Sequence, residues 1–412
     1  MNNYKNLNIK NDFEILKKRK NLVYLNSSST SLKPNLVIDE LSNIYKENIT
    51  TLNKSLSEER SLEKRFFNSL EKVSNFINAE KGSVIPTPGT TDSINKIASN
   101  IIDTLKDGDE IILGEFEHAS NILPWINISK LRKKNIVIKW YSIKNFSIDL
   151  DDLKKITNKK TKVISLTHCF NTFGTKNNIS AIRDIVGKDV KIVVDAAQSI
   201  GHMKINVKEM DCDFLIFGAH KAFGPHGLGF TYIKNISDFD SPFIYGGGMN
   251  KNYDKNSILL KDDITKFLGG TQNVPGVIAF GESIDYMNKF GIDNIELYNN
   301  ELKEYAEKKL SDVPNIRIIN KGSQSHNLFF EIKGVAAEDV AYHLLLDNII
   351  VRPGSSCVKI KNKIYQQHKS IRASFHIYND KDDIDKLYDS LIKGGDFLDY
   401  FFRKKSSSST CL

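Results

Sequence analysis

The chain has 412 residues, 40% hydrophobic and 26% charged, with 58 Lys and Arg against 50 Asp and Glu for a net charge of +8. That length supports a large buried core in two domains or one large α/β unit, and the composition excludes a disordered chain or one embedded in a bilayer. No apolar run approaches the roughly 18–20 residues that a membrane-spanning helix needs; the stretch 342–351 (YHLLLDNIIV) is interrupted by an acid.

The basic residues are spread along the chain among acids, with only short patches at 130–134 (KLRKK) and 359–363 (KIKNK). A solvated Lys-rich surface is therefore expected, rather than a nucleic-acid stripe or a membrane surface. Cys169, Cys212, Cys357 and Cys411 have unrelated spacings, which form neither a disulfide framework nor a metal site. The first twenty residues lack an apolar signal core and are too acidic and Arg-poor for a transit peptide, so a cytoplasmic protein is expected.

Taken in chain order, residues 58–77 put Leu62, Phe66, Leu70, Val73 and Ile77 at near-helical spacing, which predicts an amphipathic helix. Extended segments are predicted at 110–113, 136–141, 162–167, 190–194, 213–217 and 228–233, with helices between several of them, at 91–105, 121–134 and 179–186. Such alternation indicates βαβ units around a mostly parallel sheet. One long helical stretch from about 276 to 310 follows. Strands at 315–320, 327–332 and 348–351 and helices at 337–346 and 380–393 then suggest a smaller α+β domain. The expected organisation is an N-terminal segment, 1–35, packing with the small domain; a large domain, 36–280; the small domain, 281–400; and a disordered tail, 401–412, ending in KKSSSSTCL.

The chemistry concentrates at strand ends. Residues 211–230 read DCDFLIFGAHKAFGPHGLGF, a buried-type strand followed by a Gly/Pro-rich turn that carries Lys221. An amine desolvated at such a strand end can attack a cofactor aldehyde. In KIVVDAAQS, Asp195 closes another strand and could pair with a protonated pyridine nitrogen, with Gln198 three residues on. In PTPGTTDSINKIAS, Gly89, Thr90 and Thr91 open a helix, where amides and hydroxyls suit a phosphate. His118 follows the 110–113 strand and could stack on an aromatic ring. Taken singly, each has an ordinary reading too: a surface lysine, an N-capping Asp195, capping threonines, a surface histidine.

Together these segments resemble the class V aminotransferase family of fold-type I pyridoxal-phosphate (PLP) enzymes, and most closely the SUF-type cysteine desulfurases. The resemblance runs from about residue 22 to 395, through YLNSSSTSLKP (24–34), PGTTDSIN (88–95), EHASNILPW (117–125), THCFNTFGT (167–175), DAAQS (195–199), DCDFLIFGAHKAFGPHGLG (211–229), GGTQN (269–273), VRPGSSC (351–357) and IRASFHIYN (371–379). It implies an α/β fold with a large, mostly parallel sheet domain and a smaller α+β domain. It implies pyridoxal 5'-phosphate as cofactor, with Lys221 as the Schiff-base lysine and proton shuttle. Asp195 would be the pyridinium partner, Gln198 a donor to the phenolic oxygen, His118 the stacking ring and Asn171 a nearby polar contact. Thr90, Thr91 and His220 would form the phosphate cradle. Thr271 would reach the neighbouring subunit's phosphate in a homodimer. Arg372 would clamp the substrate carboxylate, with Arg352 a second candidate, because a guanidinium grips both oxygens. Cys357 would take sulfur from L-cysteine as a persulfide and hand it to an acceptor protein, a role that requires the thiolate. No metal is implied.

Several positions depart from the desulfurase pattern. Only Asn48 remains of an Asn-x-His-Arg-Gly-x-His run, Ser355-Ser356 replace His-His before Cys357, Gly218 replaces a serine, Leu268 a glutamate and Ala119 a second histidine. These changes lie at the expected substrate mouth and outer shell. They keep a second reading in play, another class V PLP enzyme (a C–S or C–Se lyase, an epimerase or an aminotransferase) in which Cys357 is not a nucleophile. A catalytically silent PLP-binding partner in sulfur transfer is a third.

Overall fold

The computed structural model describes residues 9–47, 52, 57–236, 242–354 and 370–407. It divides into two compact units: Leu32–Phe170 with Lys176–Asp293, and Met1–Ser31 with Asn171–Thr175 and Asn294–Leu412.

The larger unit is built on seven strands: β1 (Val84–Thr87), β2 (Glu110–Gly114), β3 (Val137–Tyr141), β4 (Thr161–Thr167), β5 (Lys191–Asp195), β6 (Phe214–Gly218) and β7 (Gly229–Ile233). Their order in the sheet is β1-β7-β6-β5-β4-β2-β3. From β6 to β3 every pairing is parallel, whereas β7 runs antiparallel to both β6 and β1. The reason is local. Only the ten residues 219–228, without a crossover helix, join β6 to β7, and so short a connection returns the chain antiparallel. The central strands read as unbroken apolar runs because the sheet is covered on both faces: β6 is buried throughout, and β5 at every residue but Lys191.

The predicted amphipathic helix is Ser57–Phe76, and Leu62, Phe66, Leu70 and Val73 on it are buried, as is Ile77 just beyond. It packs, with the helix Asn35–Glu47, on the nearly all-buried helix Val274–Phe290. The strand β1 carries a proline (VIPT) and no alternation, so no periodicity marks it.

The smaller unit holds a four-stranded antiparallel sheet of β8 (Ile316–Ile318), β9 (Asn327–Ile332), β10 (Arg352–Pro353) and β11 (Ser370–Ser374), in the order β8-β9-β11-β10. Its core joins β9 and β11 to Leu302, Ala306 and Leu310 of the helix Ile292–Leu310 and to Val340 and Leu344 of the helix Ala337–Leu346. The two-residue strand Val23–Tyr24 pairs parallel with Ile349–Ile350.

Two expectations are corrected. The single helix expected over 276–310 is two, Val274–Phe290 and Ile292–Leu310, because Gly291 takes φ +79° and its amide closes on the carbonyl of Met287 at 2.9 Å. The last helix runs Lys381–Ser407, past Gly394, through 401–407 where a disordered tail was expected. A Cβ at Gly394 would lie 2.9 Å from Nε2 of His343, so this glycine admits a neighbouring helix rather than ending its own.

Candidate active site

In the larger unit, β5 and β6 end side by side, and the candidate residues stand just beyond their C-terminal ends. At the end of β5, Asp195 is 5% exposed, and its Oδ1 accepts from the amide of Ala197 at 2.9 Å. The chain then coils tightly, Ser199 and Ile200 amides returning to the carbonyl of Ala196, and this coil buries Gln198. At Gly201 it meets the turn after β6: a Cβ there would stand 2.6 Å from the carbonyl oxygen of Lys221. Glycine is the residue that lets the Asp195 and Lys221 segments approach so closely.

Lys221 ends the 3-10 turn Ala219–Lys221 that follows β6. The amides of Ala222 and Gly224 both close on the carbonyl of Ala219, at 2.9 and 3.0 Å. Phe223 takes a left-handed φ of +64°, a costly conformation for a bulky residue, and is held in it by full burial and an edge-on contact with Tyr286 at 5.5 Å. The exit strand then passes the start of the helix Thr90–Thr104, where a Cβ at Gly229 would fall 2.6 Å from the Cα of Gly89. A Cβ at Gly218 would lie 3.2 Å from the His220 ring and 3.3 Å from the Thr90 hydroxyl. So Thr90, Gly218 and His220 converge at a helix N-terminus whose N-cap, Gly89, brings no side chain. Thr91 beside them is exposed and shares a 2.8 Å hydrogen bond with the hydroxyl of Ser120.

Electrostatics binds these groups into one cluster. Burial lowers the His118 pKa, the Asp195 charge raises it and the Lys221 charge lowers it, so the imidazole lies within reach of both. Its Nδ1 accepts from the Ser120 amide at 3.1 Å, which leaves Nε2 to bear any ring proton. Burial, then Lys221 and Lys33, push His220 down to about 3, and burial with Lys221 does the same to His202. Near neutral pH these imidazoles are uncharged hydrogen-bonding groups.

Two residues escaped the sequence reading. Glu117, fully buried, accepts from the Tyr141 hydroxyl, from Asn121 Nδ2 at 2.7 Å and from the Thr167 amide at 2.7 Å. Burial pushes its carboxyl up to about 7, hydrogen bonds oppose this, and the Asp195 charge adds to it. Its one legible signal was an acid at the exit of an apolar strand, next to His118. Lys33 donates to the carbonyl of His220 at 2.9 Å, and burial lowers its pKa to about 7; nothing in its local sequence marks it. Thr271 is exposed and lines a cavity of about 890 Å³ with Gln272, Lys251, Asp262, Glu63 and Phe67.

The smaller unit carries Arg372, Asn171 and Arg352. Arg372, on β11, is 2% exposed; its guanidinium donates to the Asn171 carbonyl at 2.7 Å, to Ser29 Oγ at 2.9 Å and to Asn26 Oδ1 at 3.5 Å. These acceptors are neutral and orient the fork without cancelling its charge. Burial pushes the nearby Tyr24 hydroxyl up to about 12, partly offset by that charge. Arg352 lies opposite Arg372 in the β10–β11 register and is exposed. Asn171 thus meets Arg372 through its main chain. Cys357, like Ser355 and Ser356, lies outside the described residues.

The sequence profile of the aminotransferase class-V family matches residues 23–387. The chain belongs to the class-V aminotransferase family. Among its relatives, a probable cysteine desulfurase of Ureaplasma parvum is 39% identical over 94% of this chain and 96% of its own length. A cysteine desulfurase of Wigglesworthia glossinidia brevipalpis is 34% identical over 97% of this chain and 100% of its own. The crystal structure of cysteine desulfurase CsdA from Escherichia coli superposes with a TM-score of 0.87 at 26% identity, covering 94% of this chain and 98% of that one. The apo cysteine desulfurase of Thermococcus onnurineus gives the same TM-score and identity over 93% and 96%. The expected α/β class and class-V membership are therefore borne out.

Proposed function

We propose that this chain is a PLP-dependent cysteine desulfurase that converts L-cysteine to L-alanine and passes the sulfur to Cys357 as a persulfide. One observation carries the reading: Lys221 and Asp195 stand on abutting turns at adjacent strand ends, and Thr90, Gly218 and His220 meet beside them at the start of the helix Thr90–Thr104. That meeting point suits a phosphate: a helix N-terminus, a hydroxyl and an uncharged imidazole supply donors. PLP, when bound, supplies an electron sink that makes the substrate α-proton removable.

The chain's own residues divide the remaining work. Lys221 Nζ would be the covalent anchor and would move the α-proton. Asp195, buried at the end of β5, would stabilise positive charge on a ring nitrogen, and Gln198 would donate to a ring oxygen. His118, its Nδ1 held by the Ser120 amide, would stack on the ring. Thr91 and Asn171 add polar contacts, and Thr271 serves a second copy of the chain in a homodimer. Arg372 clamps the substrate carboxylate, with Arg352 opposite it. A Cys357 thiolate attacks the substrate sulfur: the S–S bond forms, the carbon–sulfur bond breaks, its electron pair stays with the three-carbon skeleton, and a proton completes alanine. An acceptor protein then takes the sulfur. A cytoplasmic setting fits this traffic, and no helix among the described residues is long and apolar enough to cross a membrane.

The test is product analysis. L-cysteine and a thiol reductant should give alanine and sulfide in equal amounts, abolished by Cys357→Ala. Pyruvate and ammonia in place of alanine would refute the desulfurase reading.

A further inference from the structure

Lys33 sits far from Lys221 in sequence, yet its Nζ meets the main chain one residue before it, at the carbonyl of His220, 2.9 Å away. It is also well anchored. Pro34 restricts Lys33 to extended backbone and opens the helix Asn35–Glu47, Val37 closing on the Pro34 carbonyl at 3.0 Å. That helix packs on Val274–Phe290, so the lysine stem springs from a rigid element.

The turn it reaches is short. Ala219–Lys221 is one turn of 3-10 helix, and its first carbonyl already takes two amides, from Ala222 and Gly224. The next carbonyl, that of His220, receives Lys33. The His220 ring stacks on that of His226 with centroids 5.2 Å apart and planes at 27°. The Lys33 bond thus reaches the residue that precedes Lys221, faces Thr90 across Gly218 and packs on His226.

We propose that Lys33 is a positioning residue for Lys221: its side-chain nitrogen holds the His220 carbonyl and so sets the turn that carries Lys221 and the stacked His220–His226 pair. An ammonium and an amine both carry an N–H for that carbonyl, so the hold survives titration of Lys33 itself. Where the lysine is charged, it also disfavours protonation of both rings. The groups acting on His226 are Lys33 alone beyond burial, and those acting on His220 are Lys221, Lys33 and His226.

The inference rests on the reading of Lys221 as the PLP-bearing amine, and its test separates the two. Apo protein labelled at histidine is titrated by NMR for the wild type, Lys33→Met and Lys33→Arg. Covalent attachment of added PLP is followed by absorbance in the same proteins. Lys33→Met should raise the His226 midpoint and slow attachment about tenfold. Lys33→Arg, which keeps a charged donor, should restore both. An unmoved His226 midpoint with wild-type attachment in Lys33→Met overturns the inference, as does slow attachment that arginine leaves uncorrected. If even the wild type fails to attach PLP while the midpoint still moves, the Lys221 reading falls and the contact of Lys33 with the histidine pair stands.

Discussion

Glu117→Gln tests the buried network beneath His118. In the folded chain burial pushes this carboxyl from an ordinary 4.5 up to about 7. A folded-state pKa raised above the unfolded one means that the neutral form is favoured by folding. The stability it contributes is fully present below pH 4.5 and is lost as pH rises through about 7. At 1.36 kcal/mol per unit, the gap corresponds to about 3 kcal/mol, most of it expressed between pH 5 and 8. The variant keeps the shape and removes the titration. In urea denaturation at intervals from pH 5 to 8, the wild type should lose about 2–3 kcal/mol relative to Glu117→Gln as pH rises. A constant difference between the two proteins across that range would refute the assignment of a raised carboxyl pKa to this site.

Three further outcomes follow from the same geometry. Gly201→Ala places a methyl 2.6 Å from the Lys221 carbonyl, and since backbone cannot yield cheaply, turnover should fall tenfold or more at a stability cost of about 1–3 kcal/mol, read by steady-state rates and urea melts. Gly218→Ser meets only side-chain neighbours at 3.2–3.3 Å and adds a hydroxyl to the proposed cradle, so it should tighten PLP binding severalfold, measured by fluorescence titration of the apo protein. Arg372→Lys loses the planar fork, and the KM for L-cysteine should rise about tenfold while PLP attachment at Lys221 stays at the wild-type level.

Much of this fold is written in local pattern. The strands Glu110–Gly114, Thr161–Thr167, Lys191–Asp195 and Phe214–Gly218 are doubly buried and so appear as apolar runs, and the helix Ile179–Val186 matches its predicted span residue for residue. What stayed hidden depends on contacts distant in sequence. Strand Val84–Thr87 is extended because the antiparallel strand Gly229–Ile233 pairs with it, not because of its own residues. The helix beyond Gly394 continues because that glycine fits under His343. Asn171–Thr175 belongs with the smaller unit although the chain on either side belongs to the larger, and no shift in composition signals the excursion.

The candidate site divides in the same way. Lys221, Asp195, His118 and Thr90 stand at strand ends and a helix start, places that sequence reveals. Glu117 and Lys33 act through partners 24 to 187 positions away, Tyr141 and His220, and only folding brings those together.

The Lys221 amine alone is expected to take the PLP aldehyde. Lys33, whose amine pKa burial lowers to about 7, is the natural competitor. Reduction of the PLP-loaded protein with borohydride, followed by peptide mass mapping, distinguishes them directly. One pyridoxyl-phosphate adduct per chain is expected, on Lys221; an adduct on Lys33, or none at all, would overturn the assignment.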